Sequence, residues 1–405
     1  THRGPLTRRE SGSWQSLRWT VLESGDEFSA MTHAARARSV AEWLERMSTW
    51  RAPAQNMIVA DRRGTIAIRT TGRFPLRPGD RGDLVQRGDT SANDWRGDWT
   101  ISEFPQAVNP AQRFLASANQ QPVDPAVDSR YLGANWYSPW RALRINELLR
   151  ADSAVTPDAM RRFQTDPVSA AAERLVPAFL AAAARYPARD SLTRAAALLA
   201  GWDLRFTREN TVAVLYEEAI RQLQAQLWDE VGDGSVGTPG QVIAWALLKD
   251  PTNVWWDAQG TATVVEDRDQ LLADVLVAAY RQTVMTYGPP ESGGWRWDRV
   301  RHANILHLLR IPALSALGLP MQGGATTLNP SSGRGGFGAS WRMVVELGPQ
   351  VRAWGIYPGG QSGNPASHRY LDRLPRWRDG ELDTLLTPSR LEDLPHVSAT
   401  LELTP

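Results

Sequence analysis

The 405-residue chain contains no cysteine, which removes thiol nucleophiles, disulfides and cysteine-based zinc sites from consideration. That absence permits export without requiring it. Lysine is nearly missing too: Lys249 is the single example, so arginine supplies almost all of the 45 basic residues. Against 44 acidic residues this leaves a formal net charge of +1, with no field that would gather nucleic acid or an anionic membrane. No apolar run approaches the ~18 residues of a membrane-spanning helix, and no leader of the secretory kind opens the chain. The opening Thr1-His-Arg-Gly-Pro5 lacks an initiator methionine, so the chain reads as processed or cut from something longer. Tryptophan, by contrast, is plentiful: 18 residues, many beside glycine or proline, suit aromatic-lined pockets or simply large cores.

The organisation follows from apolar spacing. A strand is expected at 16–22. Phe28, Met31, Ala34, Ala35, Val40, Trp43, Leu44 and Met47 recur at three and four residues, predicting an amphipathic helix or a pair that Pro53 stops. The runs 55–61 and 65–71, joined by Arg62-Arg63-Gly64, predict a hairpin. A helix is expected over 140–150. Thr156-Pro157 is a helix start, with Thr as cap and Pro at the first position. From there to about 228 the chain is Ala- and Leu-rich and mostly helical, broken near 187–190 and 202–208. Residues 232–240 form a Gly-rich linker, and helical spacing resumes at 242–248 and 269–284. Strand content returns at 339–347, a glycine-loaded turn at 359–365, and a terminal strand in 391–405. The expected class is α+β: strand-rich parts at 1–151 and 286–405 of one core, interrupted by a helical insertion at 152–285.

The stretch Phe114-Leu-Ala-Ser-Ala-Asn119-Gln-Gln-Pro122 reads as a buried strand ending in three side-chain amides. Burying an amide costs roughly 1–3 kcal/mol unless it finds a partner. Asn119 is therefore either the cap of a turn before Pro122 or a donor to an oxygen that becomes anionic during acyl transfer. Arg144 follows 25 residues later, either as a surface cation on a helix or as a fixed charge that orients reacting groups. Of six histidines, His302 and His307 are five apart, which on a helix places them on different faces, and no carboxylate pair stands at ligand spacing. They read as structural. Gly359-Gly-Gln-Ser362-Gly363 is not a nucleophile elbow, since Asn364 stands where the second glycine belongs. No Lys-Ser or Lys-Thr follows to make it a phosphate loop, and a backbone turn accounts for it better than Ser362 as a nucleophile. Asp61, Asp80, Asp83 and Asp128 are oxygen donors for calcium in principle, but no compact loop gathers them.

Several stretches together resemble the penicillin acylase family of N-terminal nucleophile hydrolases, which also holds acyl-homoserine lactone acylases. They are Thr-His-Arg-Gly-Pro at 1–5, Leu-Arg-Trp-Thr at 17–20, Gln-Asn-Met-Ile-Val-Ala-Asp-Arg-Arg-Gly at 55–64, Gly-Arg-Phe-Pro at 72–75, Trp-Arg-Gly at 95–97 and Asn119-Gln-Gln-Pro122. Trp295-Arg-Trp297 with His302 and His307 follows, then Gly-Gly-Gln-Ser-Gly-Asn-Pro-Ala-Ser at 359–367 with Tyr370, Asp372 and Trp377. The resemblance implies an αββα sandwich with helical insertions, cut from a precursor into α and β chains. It also implies amide hydrolysis by an N-terminal Ser, Thr or Cys whose α-amine, with a pKa near 8, takes the proton. On that resemblance Asn119 is the oxyanion donor and Arg144 supports the site; no cofactor is needed for catalysis. A structural Ca2+ is expected, with its main acidic ligands upstream and Asp128 or a backbone oxygen near Pro78 contributing. Thr1 is N-terminal, but His2-Arg3-Gly4-Pro5 matches a motif internal to the family's β chain. The nucleophile is therefore expected on another chain, and the partners are the α subunit and the N-terminal part of the β subunit. An N-acyl amide is the implied substrate and the periplasm or exterior the implied location. The alternative is a catalytically inactive homologue or fragment that binds an acyl ligand through its Trp-rich surface.

Overall fold

The computed structural model describes residues 1–402 apart from 24, 187–188, 232–236, 262, 332–337, 389, 396 and 398. The chain divides into two compact units, Thr1–Ala142 and Leu143–Pro405.

In the first unit β1 (Leu6–Arg8) and β2 (Trp14–Ser16) pair antiparallel. The strand expected at 16–22 keeps only its first residue; Thr20–Leu22 is a 3-10 turn with nothing buried. With no face to cover, β-branched content alone does not sustain a strand. The three- and four-residue spacing resolves into two helices, α1 (Glu27–Ala34) and α2 (Val40–Arg46). Ser39 caps α2, its hydroxyl accepting from the Glu42 N–H at 3.1 Å. β3 (Gln55–Ala60) and β4 (Ile66–Thr71) form the expected hairpin, Ile58 opposite Ile68, and β5 (Gln106–Val108) extends it to the order β3-β4-β5. The Asp61 carboxylate accepts from the Arg63 and Thr65 amides at 2.9 and 3.3 Å, and Gly64 takes φ 88°. That is the local chemistry that closes such a turn. Val40 and Leu44 of α2 pack on Ala67 of the sheet.

Residues 114–118 do not form the expected strand. They lie outside every described ladder, and only Ala118 is buried. A strand needs a neighbour to receive its backbone groups, and this stretch is tied down by side chains instead.

The helix expected at 140–150 is α3 (Trp140–Ala151), which crosses the division between the units. In the second unit α4 (Pro157–Gln164) starts as expected, the Thr156 hydroxyl accepting from the Ala159 N–H at 3.2 Å. α5 (Ala170–Arg185), α6 (Asp190–Ala200), α7 (Ala213–Leu227), α8 (Gln241–Leu247) and α9 (Arg268–Tyr287) follow. The expected break at 187–190 falls between α5 and α6, and part of it, like residues 232–236 of the expected linker, lies outside the described residues. α9 is the shared partner of α5, α6 and α7. Leu271, Leu272, Val275, Leu276 and Ala279 all lie under its surface, because a helix flanked on several sides is apolar around most of its circumference.

α10 (Trp297–Val300) leads into β6 (His302–Ile305), paired with β7 (Ala316–Pro320). His302 therefore opens a strand, and the helical-face argument about His302 and His307 does not apply; Ala303 and Ile305 alternate inward, which selects the two-residue period. β8 (Arg342–Glu346), β9 (Arg352–Ile356), α11 (Leu374–Arg378) and β10 (Asp383–Leu385) complete the unit, with sheet order β10-β9-β8. Met321, Val344, Ile356 and Trp377 form a separate, smaller core cluster beside these strands. The glycine turn at 359–365 depends on close approach: a Cβ at Gly360 would lie 2.0 Å from the Arg369 carbonyl oxygen. The terminal strand expected in 391–405 is absent among the described residues, where Leu391–Asp393 makes a 3-10 turn. No described helix is long and apolar enough to cross a membrane.

Trp297 is wholly buried, meets Phe206 edge to face at 4.9 Å and donates through Nε1 to the Gly323 carbonyl at 2.9 Å. Trp297→Ala removes that packing and orphans the carbonyl, and is expected to cost about 3–5 kcal/mol of unfolding free energy. Urea titration measures this; a loss below ~1 kcal/mol contradicts the described core.

Candidate functional site

Asn119 occupies a left-handed backbone conformation, φ 66°, which asparagine tolerates better than most side chains. Its backbone carbonyl accepts from the Tyr137 N–H at 3.1 Å. Gln120 turns its side-chain oxygen back to the Ala118 N–H at 2.8 Å, and the Ser117 hydroxyl accepts from the Asn56 amide at 3.0 Å. Asn56 lies on β3 and itself accepts from the Thr70 hydroxyl of β4 at 2.7 Å. A chain of side-chain hydrogen bonds thus moors the 117–120 loop to the sheet, where the expected ladder would have done so.

The cation that touches Asn119 is Arg141. Its Nη2 donates to the Ala118 carbonyl at 2.8 Å and to Asn119 Oδ1 at 3.1 Å, while the guanidinium stands 5.6 Å from the Tyr137 ring centre. Burial lowers the Arg141 pKa, yet the group stays a cation throughout the working range. Arginine has only donors, so the Asn119 atom facing it is the oxygen. The NH2 then points the other way, and no described group accepts from it. Asn119 is exposed in this chain, whereas a dry, buried amide was expected; its orientation comes from Arg141 and not from enclosure.

Arg144, expected to support this site, makes its bonds within the second unit. Its Nε donates to Asp166 at 2.5 Å and its Nη1 to Glu147 at 3.4 Å. Burial disfavours the charge, but Asp166 outweighs it and the net shift of the Arg144 pKa is upward. Asp166 is itself buried and also accepts from the Val168 N–H. Sequence reasoning missed Arg141 for a simple reason. Arg141 and Arg144 are three apart on one helix, so periodicity places both on adjoining parts of one surface and cannot choose between them.

The other candidates are accounted for locally. Both the Thr1 amine and hydroxyl donate to the Gly4 carbonyl, at 3.1 and 3.3 Å, in an exposed turn. The Ser362 hydroxyl accepts from the Asn364 N–H at 3.1 Å inside the glycine turn. Asp61 closes its hairpin, Asp83 pairs with Arg81 at 3.1 Å, and Asp128 pairs with Arg130 at 2.8 Å. The Arg130 hydrogen bond holds the Asp128 carboxyl below the usual range; the side chain of Asp80 lies outside the described residues. Among the described residues no group of three or more His, Asp or Glu could hold a metal.

The two arginines of α3 are separable by experiment. Arg144→Met strands the Asp166 carboxylate in a buried position and is expected to cost about 3–5 kcal/mol. Arg141→Met loses hydrogen bonds to neutral oxygens near the surface and is expected to cost about 1 kcal/mol. Guanidinium titrations that give equal losses for the two contradict this assignment.

Comparison with known proteins bears on the same chain. The family model described as penicillin amidase matches residues 1–391. The acyl-homoserine lactone acylase QuiP of Pseudomonas aeruginosa is 26% identical over 450 residues, covering 98% of this chain and 52% of the relative. The penicillin acylase 2 proenzyme of Pseudomonas sp. is 26% identical over 407 residues, covering 94% and 50%. The chain spans about half the length of the curated relatives it matches. A thermostable penicillin G acylase from Alcaligenes faecalis has a similar structure: TM-score 0.72 at 17% identity, over 100% of this chain and 78% of that one. The expected fold, that of the N-terminal nucleophile hydrolases, is the one this likeness shows.

Proposed function

The chain belongs to the penicillin amidase family, and from that premise we propose that it forms most of the β subunit of an amidohydrolase that cleaves N-acyl amides. The observation that carries the proposal is the Arg141 hydrogen bond to Asn119 Oδ1, which turns the amide NH2 outward as a donor. The nucleophile comes from a companion polypeptide that carries the rest of the relatives' length. Its hydroxyl (or thiol) bonds to the acyl carbon, its own α-amine takes the proton, and the carbonyl electron pair moves onto oxygen. Asn119 Nδ2 donates to that oxygen as its charge develops. Collapse re-forms the carbonyl and breaks the C–N bond, the leaving nitrogen departing with the proton. Water then hydrolyses the acyl-enzyme by the same route.

Arg141 exchanges no proton; it is a positioning residue. Arg144 holds the second unit's part of α3 through Asp166 and is assigned no contact with Asn119. The relatives' names point to an acylated homoserine lactone or an acylated β-lactam as substrate class, and "proenzyme" in one of them to a cleaved precursor. A periplasmic or secreted setting suits such substrates. A structural calcium, if bound, takes its carboxylates from the companion, and no catalytic step runs through it.

In the complex produced from the whole precursor, Asn119→Ala is expected to lower kcat for a phenylacetyl- or long-acyl amide about 10²–10³-fold with KM little changed. Arg141→Met is expected to lower kcat by about tenfold. Unchanged kcat in Asn119→Ala removes the proposed oxyanion role. A wild-type complex that binds such acyl ligands without turnover identifies an inactive binding homologue instead.

A further inference from the structure

The first unit holds a groove of about 1110 Å³, remote in sequence from Asn119, which does not line it. Leu6, Trp14, Leu17, Leu84 and Val85 form its apolar walls, and each is at least half exposed. Large apolar side chains scattered singly are ordinary on a surface, but a cluster around one groove marks a binding face. Two of the five, Leu6 and Trp14, belong to β1 and β2. An isolated two-stranded hairpin is marginal in water without something packed on it.

The charge in the groove is also unbalanced. Its lining acids whose side chains are described are taken: Asp83 by Arg81 at 3.1 Å, Asp89 by Arg87 at 2.7 Å, Asp94 by Arg3 at 2.6 Å. Arg77 has no such partner among the described residues. It is half-buried between two rings, 5.2 Å from the centre of Trp95 and 5.0 Å from that of Tyr131, and burial lowers its pKa. Arg18 stacks on the same Trp95 ring at 4.2 Å. A partly desolvated guanidinium fixed by aromatic rings is pre-oriented for a carboxylate.

One occupant satisfies both demands: a polypeptide segment with apolar side chains and an Asp or Glu placed among them. This chain spans only about half the length of its relatives, 52% of the QuiP acylase for one, and the companion proposed above, carrying the rest of that length, is the polypeptide that would supply it. We propose that this groove is a docking surface for the companion polypeptide, with a companion carboxylate paired to Arg77. The proposal rests on the reading above that such a companion exists. It adds where the companion binds and by what chemistry.

Hydrogen exchange of the chain alone and of the complex formed from the whole precursor tests this. Backbone amides of 6–22 and 76–87 are expected to exchange about tenfold more slowly in the complex, with those of α9 unchanged. Within the complex, Arg77→Glu is expected to lose that protection and weaken association about tenfold, while Arg77→Lys keeps most of it. Should the chain alone fail to fold, the comparison of wild-type and Arg77→Glu complexes carries the test. Equal exchange in the two states overturns the proposal. So does protection of 76–87 by phenylacetate alone with none from the companion, which marks a site for free carboxylates. A protected groove without amide hydrolysis defeats the functional reading and leaves the docking intact; hydrolysis with an unprotected groove does the reverse.

Discussion

A single hydrogen bond, from Arg141 to the side-chain oxygen of Asn119, sets the direction of the one amide on which the proposed chemistry depends. An asparagine side chain can be turned over to exchange its two ends, and a neighbour able both to donate and to accept would not select between them. A guanidinium only donates, so it admits one orientation. The same nitrogen also binds the Ala118 carbonyl, which fixes the backbone just before the left-handed residue. Selection of the amide's orientation therefore costs no enclosure, and this suits a donor that must stay open to an arriving reacting group.

The rest of the first unit holds that arrangement still. The Thr70–Asn56–Ser117 relay carries the rigidity of the β3-β4 hairpin to the loop, and the Tyr137 N–H closes it from the other side. In the second unit the bond between Arg144 and buried Asp166 fastens α3. Preorganisation of this kind matters because a donor already aimed at the developing charge needs no reorganisation when the charge appears. The stability of the second unit is a separate matter. It rests on α9 and its tryptophan-rich surroundings, far in sequence from any residue assigned to chemistry.

Features governed by local chemistry were legible from the residues. The hairpin at 55–71 joins two β-rich runs through a short glycine-containing turn, and α4 begins at a threonine cap; both depend on neighbours a few positions away. The family resemblance, carried by Gly-Arg-Phe-Pro at 72–75 and the glycine turn at 359–367, anticipated the fold. What was not legible is non-local. Residues 114–118 have the composition of a strand but no partner to ladder with, and a partner cannot be read from composition. Arg141 and Arg144 carry the same periodicity, and only the positions of Ala118, Asn119 and Asp166 distinguish them. Arg77 becomes informative once every described acid near it is seen to be engaged elsewhere. A lone arginine in a sequence gives no such sign.

The orientation of the Asn119 amide is accessible directly. In the complex formed from the whole precursor, the side-chain 15N–1H2 resonances of Asn119 can be followed as a boronate or phosphonate mimic of the tetrahedral intermediate is added. A downfield shift of one amide proton with slowed exchange, lost in Arg141→Met, is the result this account predicts. Asn119 resonances that do not respond to the mimic, in a complex that hydrolyses N-acyl amides, would contradict it.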